Sequence, residues 1–402
     1  MNKNFKLSER AKKIPASPIR KLLPYADEAK KRGIKVYHLN IGQPDIPTPD
    51  VFFKAIKETK EKVIAYGPSQ GLPILREAIA EYLRKNSINA EPDDVFITIG
   101  GSEAILFSYL LTCDKDDEVL IPEPCYANYI SIGAMCEIKL IPIRTTVETG
   151  FHLPPAEEIK KLVTKKTKAI VLISPNNPTG TVYSENELRE IVKVAREFNL
   201  CIISDEVYRE FTFDNIHHTS IFHIKEAEDI SIMIDSISKR FSACGARIGF
   251  IFTKNEKFKE ALWRIPQARL CPPTLEQYGA TACFKEFQKI VPRIKEEFER
   301  RRNVVYEEIL KTDGLFTQKP EGAFYTVVRL PVDDAEDFVK FMLTDFNVNG
   351  KTVMLAPANG FYVSNRGKNE ARIAYVLEEE KLREAMQILR EGLKEYAKRK
   401  GN

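Results

Sequence analysis

Several absences bound this 402-residue chain before any motif is read. It has no run of about 18 or more apolar residues, so no membrane-spanning helix is expected. Residues 1–21 are basic but lack the apolar stretch of a signal peptide, and a soluble, cytoplasmic protein is the expectation. Cysteine is sparse and unpatterned: Cys113, Cys125, Cys136, Cys201, Cys244, Cys271 and Cys283 are odd in number, and no pair is spaced Cys-x-x-Cys. This argues against a disulfide framework or a structural zinc site and leaves reduced, mostly buried thiols. The 61 Lys/Arg and 57 Asp/Glu are interspersed without a long block of one sign, for a net charge of +4. Attraction to nucleic acid is therefore not implied, while small anionic ligands remain compatible. The glycine pair Gly100-Gly101 has neither the Gly-x-Gly-x-x-Gly spacing nor a following Walker Gly-Lys-Ser/Thr, which disfavours dinucleotides and ATP. His217 and His218 are adjacent, point in different directions and lack a third ligand nearby, so they read as loop residues and no metal is expected. No repeat or low-complexity tract is found, which removes solenoid and disordered readings.

What is present is ordinary globular composition, 43% hydrophobic and 29% charged, at a length that suits one large and one smaller domain. From about residue 70 the periodicity alternates. Helices are predicted over 72–86, 102–111 and 185–198, and strands over 95–99, 118–121, 168–173, 200–204 and 230–234. Such βα alternation implies an α/β fold with a mainly parallel sheet flanked by helices, its functional loops at the strand carboxyl ends. Beyond about residue 290, charged helices (291–312, 334–343, 381–398) alternate with short strand-like runs (323–329, 371–376), the pattern of a separate α+β unit.

Four segments carry chemistry. In Asp235-Ser236-Ile237-Ser238-Lys239-Arg240 an apolar run ends on hydroxyls and a lysine, with Arg247 further on. A lysine amine attacks a carbonyl only when partly neutral, which requires desolvation or nearby cations, and Arg240 and Arg247 are placed to supply the latter. By itself the segment also reads as a solvated lysine at a strand end. Ser174-Pro175-Asn176-Asn177-Pro178-Thr179-Gly180 is made of turn formers and holds an amide at the sheet edge, or is a plain βα loop. Cys201-Ile202-Ile203-Ser204-Asp205-Glu206-Val207-Tyr208 ends a strand on an acid with a tyrosine three residues later. Ile99-Gly100-Gly101-Ser102-Glu103 opens a helix with free N–H groups and a hydroxyl, where phosphate binds well. Together these offer a phosphate seat, a carboxylate, an amide, a tyrosine, an amine and an arginine, which matches the needs of pyridoxal phosphate.

Ser-Pro-Asn-Asn-Pro-Thr-Gly, Ser-Asp-Glu-Val-Tyr, Ser-Ile-Ser-Lys with Arg247 eight residues after Lys239, and Ala371-Arg372-Ile373-Ala374 together resemble the class I/II aminotransferases of the aspartate aminotransferase (fold type I) superfamily. Pro15-Ala16-Ser17-Pro18-Ile19-Arg20, Asn40-Ile41-Gly42-Gln43-Pro44-Asp45 and Tyr66-Gly67-Pro68-Ser69-Gln70-Gly71 look like further family segments in the expected order. The resemblance implies an N-terminal arm and part of a small domain over 1–45, a large cofactor-binding domain over 46–290 and the rest of the small domain over 291–402. It implies Lys239 as Schiff-base lysine and base, Asp205 as partner of the pyridinium, and Tyr208 with Asn177 on the ring hydroxyl. Gly101, Ser102, Glu103, Ser236 and Arg247 match the phosphate cup, and Tyr126 the aromatic stacked on the ring, though an ordinary core tyrosine fits it too. Arg372 resembles the arginine that forks the substrate α-carboxylate, with Gly42 beside it. Tyr66 matches the tyrosine that reaches a neighbouring subunit's phosphate, implying a homodimer with shared active sites.

The activity implied is ping-pong transamination of an L-amino acid, aspartate first, with 2-oxoglutarate. Arg264, Arg269 and Lys351 are candidates for a second substrate carboxylate, and aromatic or neutral donors stay open. A pyridoxal phosphate carbon–sulfur β-lyase and an aminotransferase-like regulatory binding module are the rival readings. Trp263 reads as packing, Cys244 as a small buried thiol near the phosphate, and the isomers of Glu123-Pro124 and Asn177-Pro178 are left open.

Overall fold

The computed structural model describes residues 6–401. Its strands in chain order are β1 (Lys35–His38), β2 (Val95–Thr98), β3 (Glu118–Glu123), β4 (Lys139–Arg144), β5 (Thr167–Ile173) and β6 (Cys201–Asp205). They continue with β7 (Ser231–Ser236), β8 (Gly249–Phe252), β9 (Tyr325–Arg329), β10 (Lys351–Met354), β11 (Ala356–Pro357) and β12 (Glu370–Ala374). Seven form one sheet in the order β2-β8-β7-β6-β5-β3-β4. Every pairing in it is parallel except the two made by β8. Six carboxyl ends therefore open on one edge.

Runs of β-branched and aliphatic residues make the central strands, because a sheet covered on both faces has no polar side to alternate with. Successive side chains enter opposite cores: Leu120, Ile170, Leu172 and Ile202 on one face, Val119, Ile121, Val171 and Ile203 on the other. Helix Glu185–Phe198 covers the first face through Leu188, Ile191, Val192 and Ala195, spaced for one helical stripe. Its start is set by Ser184, whose Oγ accepts the Glu187 N–H while the Glu187 carboxylate accepts that of Ser184, and Asn199 in the left-handed region ends it. Helix Gly100–Thr112 covers the second face.

The sequence periodicity leaves out β4 and β8. β4 is an edge strand carrying Pro142, whose missing N–H an edge tolerates. β8 has four residues, too few for a period, and runs against its neighbours. It passes the start of helix Gly100–Thr112 so closely that a Cβ on Gly249 would lie 2.6 Å from the Gly100 carbonyl carbon.

The smaller unit joins both ends of the chain: β1 pairs in parallel with β10, and β11-β12-β9 form an antiparallel sheet. Helices Leu23–Lys31, Ala335–Thr344 and Glu379–Lys400 bury Ala26, Phe338, Met342, Leu382 and Leu389 in its core. That core also takes in Tyr208 and Phe211 from beyond β6, with Phe298 stacked on Phe324 at 3.8 Å. The large sheet's carboxyl edge thus faces the small unit directly. No helix among the described residues is long and apolar enough to cross a membrane.

Candidate active site

Between that edge and the small unit lies a cavity of about 500 Å³. Gly42, Gly101, Ser102, Tyr126, Asn177, Asp205, Tyr208, Ser236, Lys239, Arg247 and Arg372 all line it. They come from different loops because each parallel strand ends at the same level.

β7 ends at Ser236, whose Oγ accepts the Ser238 N–H at 3.1 Å and so starts the single helical turn Ile237–Arg240 that presents Lys239. Lys239 Nζ donates to the Gly42 carbonyl at 2.6 Å and lies 3.7 Å from Cys244 Sγ. Burial works against its ammonium form, but Tyr325, Cys244 and Tyr126 outweigh it and hold the amine above the usual lysine value. Arg240 and Arg247 do not supply the cationic charge that the sequence led us to expect. Arg240 is locked to Asp235 (2.7 Å) and Glu210 (3.0 Å) beneath the site, and the cation that opposes the lysine is Arg372.

Asp205 ends β6 and is buried without a cationic partner among the described residues. Its carboxylate accepts only the Val207 N–H (3.2 Å) and the Tyr129 hydroxyl (2.9 Å), and desolvation pushes it up to about 7. Tyr208 meets Tyr325, hydroxyl to hydroxyl, at 2.8 Å. Asn177 follows β5 in a segment where the Ser174-Pro175 and Asn177-Pro178 peptides are cis, as is Glu123-Pro124. Its Oδ1 accepts Arg372 Nη1 at 3.0 Å, while Nη2 donates to the Asn40 carbonyl at 2.5 Å. Arg372 Nε, fully buried, has no partner among the described residues. Burial lowers the Arg372 value from its ordinary one.

The remaining wall is the first turn of helix Gly100–Thr112. Gly100 is in the left-handed region, and a Cβ there would lie 2.2 Å from Arg247 Nη2, so glycine lets the guanidinium approach the helix end. Asn128 donates to Ser102 Oγ at 2.9 Å. Donors, a hydroxyl and a cation thus converge where a helix N-terminus favours an anion.

Other residues fall elsewhere. Glu103 does not line the cavity: its carboxylate accepts the Ile99 N–H at 2.8 Å and pairs with Arg269 at 3.1 Å, so it holds the helix start from outside. That pairing occupies Arg269. Arg264 pairs with Glu260 on its own helix, and Lys351 with Glu384 on the small unit. Tyr66 is 82% exposed and outside the cavity. His218 Nε2 donates to the buried Glu206 carboxylate at 2.9 Å, and Trp263 packs edge-on against Phe96. Among the described residues no cluster of three or more His, Cys, Asp or Glu could hold a metal. Sequence reasoning missed Tyr325, Asn128 and Ser238 as lining residues. Tyr325 sits in a strand buried on both faces, where alternation carries no signal of direction.

The family model for aminotransferase class I and II matches residues 34–389. An aspartate aminotransferase of Pyrococcus abyssi is 34% identical, over 97% of this chain and 98% of that one. An aromatic-amino-acid aminotransferase of Thermococcus litoralis is also 34% identical, again over 97% and 98%. Among solved structures, an alanine aminotransferase from Pyrococcus furiosus superposes with a TM-score of 0.89 at 32% identity, covering 97% and 100% of the two chains. An aspartate aminotransferase from Thermus thermophilus with maleate gives 0.86 at 26% identity, covering 96% and 100%.

Pyridoxal 5′-phosphate, the cofactor of this family, fits the residues present. A buried carboxylate without a cation suits a protonated ring nitrogen, and the glycine-lined helix start beside Arg247 suits a phosphate. The chain belongs to the class I and II aminotransferases, the pyridoxal 5′-phosphate enzymes of fold type I.

Proposed function

We propose that the chain moves an amino group from an L-amino acid with a second carboxylate, aspartate first, to 2-oxoglutarate in two half-reactions. One observation carries the choice of an acidic substrate. Four cations, Arg20, Lys239, Arg247 and Arg372, line the cavity against a single carboxylate, Asp205. Lys239, Arg247 and Arg372 are assigned to the cofactor and the substrate α-carboxylate, which leaves Arg20 with no anion assigned to it. The aspartate aminotransferases among the relatives support the same reading.

The cofactor supplies a carbonyl for the amino group and a ring that accepts the electron pair left at the substrate Cα. Lys239 would anchor the cofactor, and its Nζ would move the proton taken from the substrate Cα. Asp205 keeps the ring nitrogen protonated, which relieves the desolvation that raises it. Tyr208 and Asn177 would hold the ring hydroxyl, and Tyr126 would pack on the ring. Gly101, Ser102, Ser236 and Arg247 hold the phosphate. Glu103 contributes only by fixing the helix start. Arg372 forks the substrate α-carboxylate, for which its unpartnered Nε is available. The exposed Tyr66 ring supports a homodimer in which it reaches the phosphate of the other subunit.

A half-reaction screen tests the specificity: amino acids are added singly while the visible absorbance of the lysine-bound cofactor is followed. Aspartate and glutamate should discharge it faster than alanine or phenylalanine. The Thermococcus litoralis relative, equal in identity, favours aromatic donors as the second reading, and a faster response to phenylalanine would establish it. Pyruvate and ammonia released without any oxo-acid acceptor would instead mark a lyase.

A further inference from the structure

We propose that Arg20 grips the second carboxylate of the substrate, so that Arg20 and Arg372 hold a dicarboxylic amino acid at its two ends. The assignment rests on the acidic-substrate reading above and names the residue that reading needs.

Every other cation lining the cavity is engaged. Lys239 donates to the Gly42 carbonyl (2.6 Å), Arg247 Nη1 to the Cys244 carbonyl (2.8 Å), and Arg372 to Asn177 and Asn40. Arg20 makes no ion pair and no side-chain hydrogen bond among the described residues; only its backbone is bonded, its N–H to the Ser17 carbonyl at 3.1 Å. The cations expected for this task from sequence, Arg264, Arg269 and Lys351, are paired with Glu260, Glu103 and Glu384 outside the cavity.

Ile19, the residue before Arg20, is tied to Arg372 through Asn40. The buried Asn40 accepts Arg372 Nη2 on its carbonyl and donates from Nδ2 to the Ile19 carbonyl at 2.8 Å. Pro18 packs against Gly360, where a Cβ would lie 2.5 Å from the proline ring. The backbone before Arg20 is therefore fixed to the wall that carries Arg372, while the guanidinium itself is solvated. A solvated arginine on a fixed backbone can adjust to diacids of different length, as both half-reactions require. It also loses nothing when a neutral substrate binds, so it should discriminate by a ratio of affinities and not by exclusion.

The test uses the holoenzyme, as wild type, Arg20→Gln and Arg20→Lys. Steady-state kinetics compare aspartate with asparagine, its neutral isostere, and calorimetry compares maleate with butyrate as non-reacting ligands. In Arg20→Gln the aspartate-to-asparagine ratio of kcat/KM should fall by about 30-fold or more, chiefly through KM for aspartate, and the maleate-to-butyrate affinity ratio should fall with it. Arg20→Lys should recover part of both. If both ratios in Arg20→Gln stay within about 3-fold of wild type while wild type prefers the diacids, Arg20 is not the recognition residue and the acidic-substrate reading survives. A wild type with no preference for aspartate or maleate overturns that reading and the assignment with it.

Discussion

The hydroxyls of Tyr208 and Tyr325 lie 2.8 Å apart, with the rings edge to face at 5.7 Å between centroids. Tyr325 also lies beneath the Arg372 guanidinium, 4.4 Å from ring centroid to Cζ, and its hydroxyl donates to the Gly42 carbonyl at 3.3 Å. One strand residue therefore touches the groups assigned to the ring hydroxyl and to the substrate carboxylate.

Tyr325→Phe should lower kcat/KM by about 10-fold, through loss of the hydroxyl's contacts with Tyr208 and the Gly42 carbonyl, while keeping the ring under Arg372. Tyr325→Leu removes both contacts and should add a rise in KM for the amino acid. Equal KM values for the two variants, measured at saturating cofactor, would separate Tyr325 from carboxylate binding.

Gly42→Ala should be far more damaging than its size suggests. The new Cβ would fall 1.8 Å from the Tyr325 hydroxyl oxygen, so the ring must move. We expect a stability loss of about 1–3 kcal/mol and at least a tenfold fall in activity. Combining it with Tyr325→Leu should cost less than the two losses summed, because the clash disappears. Chemical denaturation of the four proteins gives the coupling directly.

Asp205 predicts a pH effect on the cofactor-stripped protein. Its folded value of about 7 exceeds the ordinary 3.8, so the folded state binds the extra proton between these values. Stability from this group is therefore full below about pH 4 and lost as pH rises through 7, on the order of 4 kcal/mol for a fully buried carboxyl. Asp205→Asn should match wild type in thermal unfolding near pH 4 and exceed it at pH 8. Its activity with cofactor should fall. An Asn variant that tracks wild type across this range would show that desolvation of Asp205 is relieved some other way.

His152 should act in the same sense with pH, at a higher range. Its Nδ1 lies 3.0 Å from Glu187 and its Nε2 3.4 Å from Glu321, and these carboxylates raise it from 6.5 to about 10. The stabilisation is complete below about pH 6.5 and lost as pH rises through 10. Discounted for a side chain one-third exposed, it amounts to about 1 kcal/mol. Since Glu321 also accepts the Val182 N–H at 2.9 Å, the pair steadies the segment after Asn177. His152→Gln should lose stability at pH 7 and converge with wild type above pH 10 in denaturant titrations.

Local chemistry was legible from the chain alone. The apolar stripe places helix Glu185–Phe198 at the bounds read from sequence, because period acts over a few residues. The aliphatic runs of β5, β6 and β7 were equally plain, and the segments that follow each carry a lining residue of the cavity. Tertiary structure alone decided how these pieces meet. Gly42 reaches Lys239 across 197 residues and Arg372 reaches Asn177 across 195, distances at which no periodicity speaks. Burial and pairing also turned Glu103 outward to Arg269, drew Arg240 away from Lys239 to Asp235, and left Arg20 without a partner in the cavity. Residue type sets what a side chain can do, but its direction follows from which charges the closed chain brings within reach.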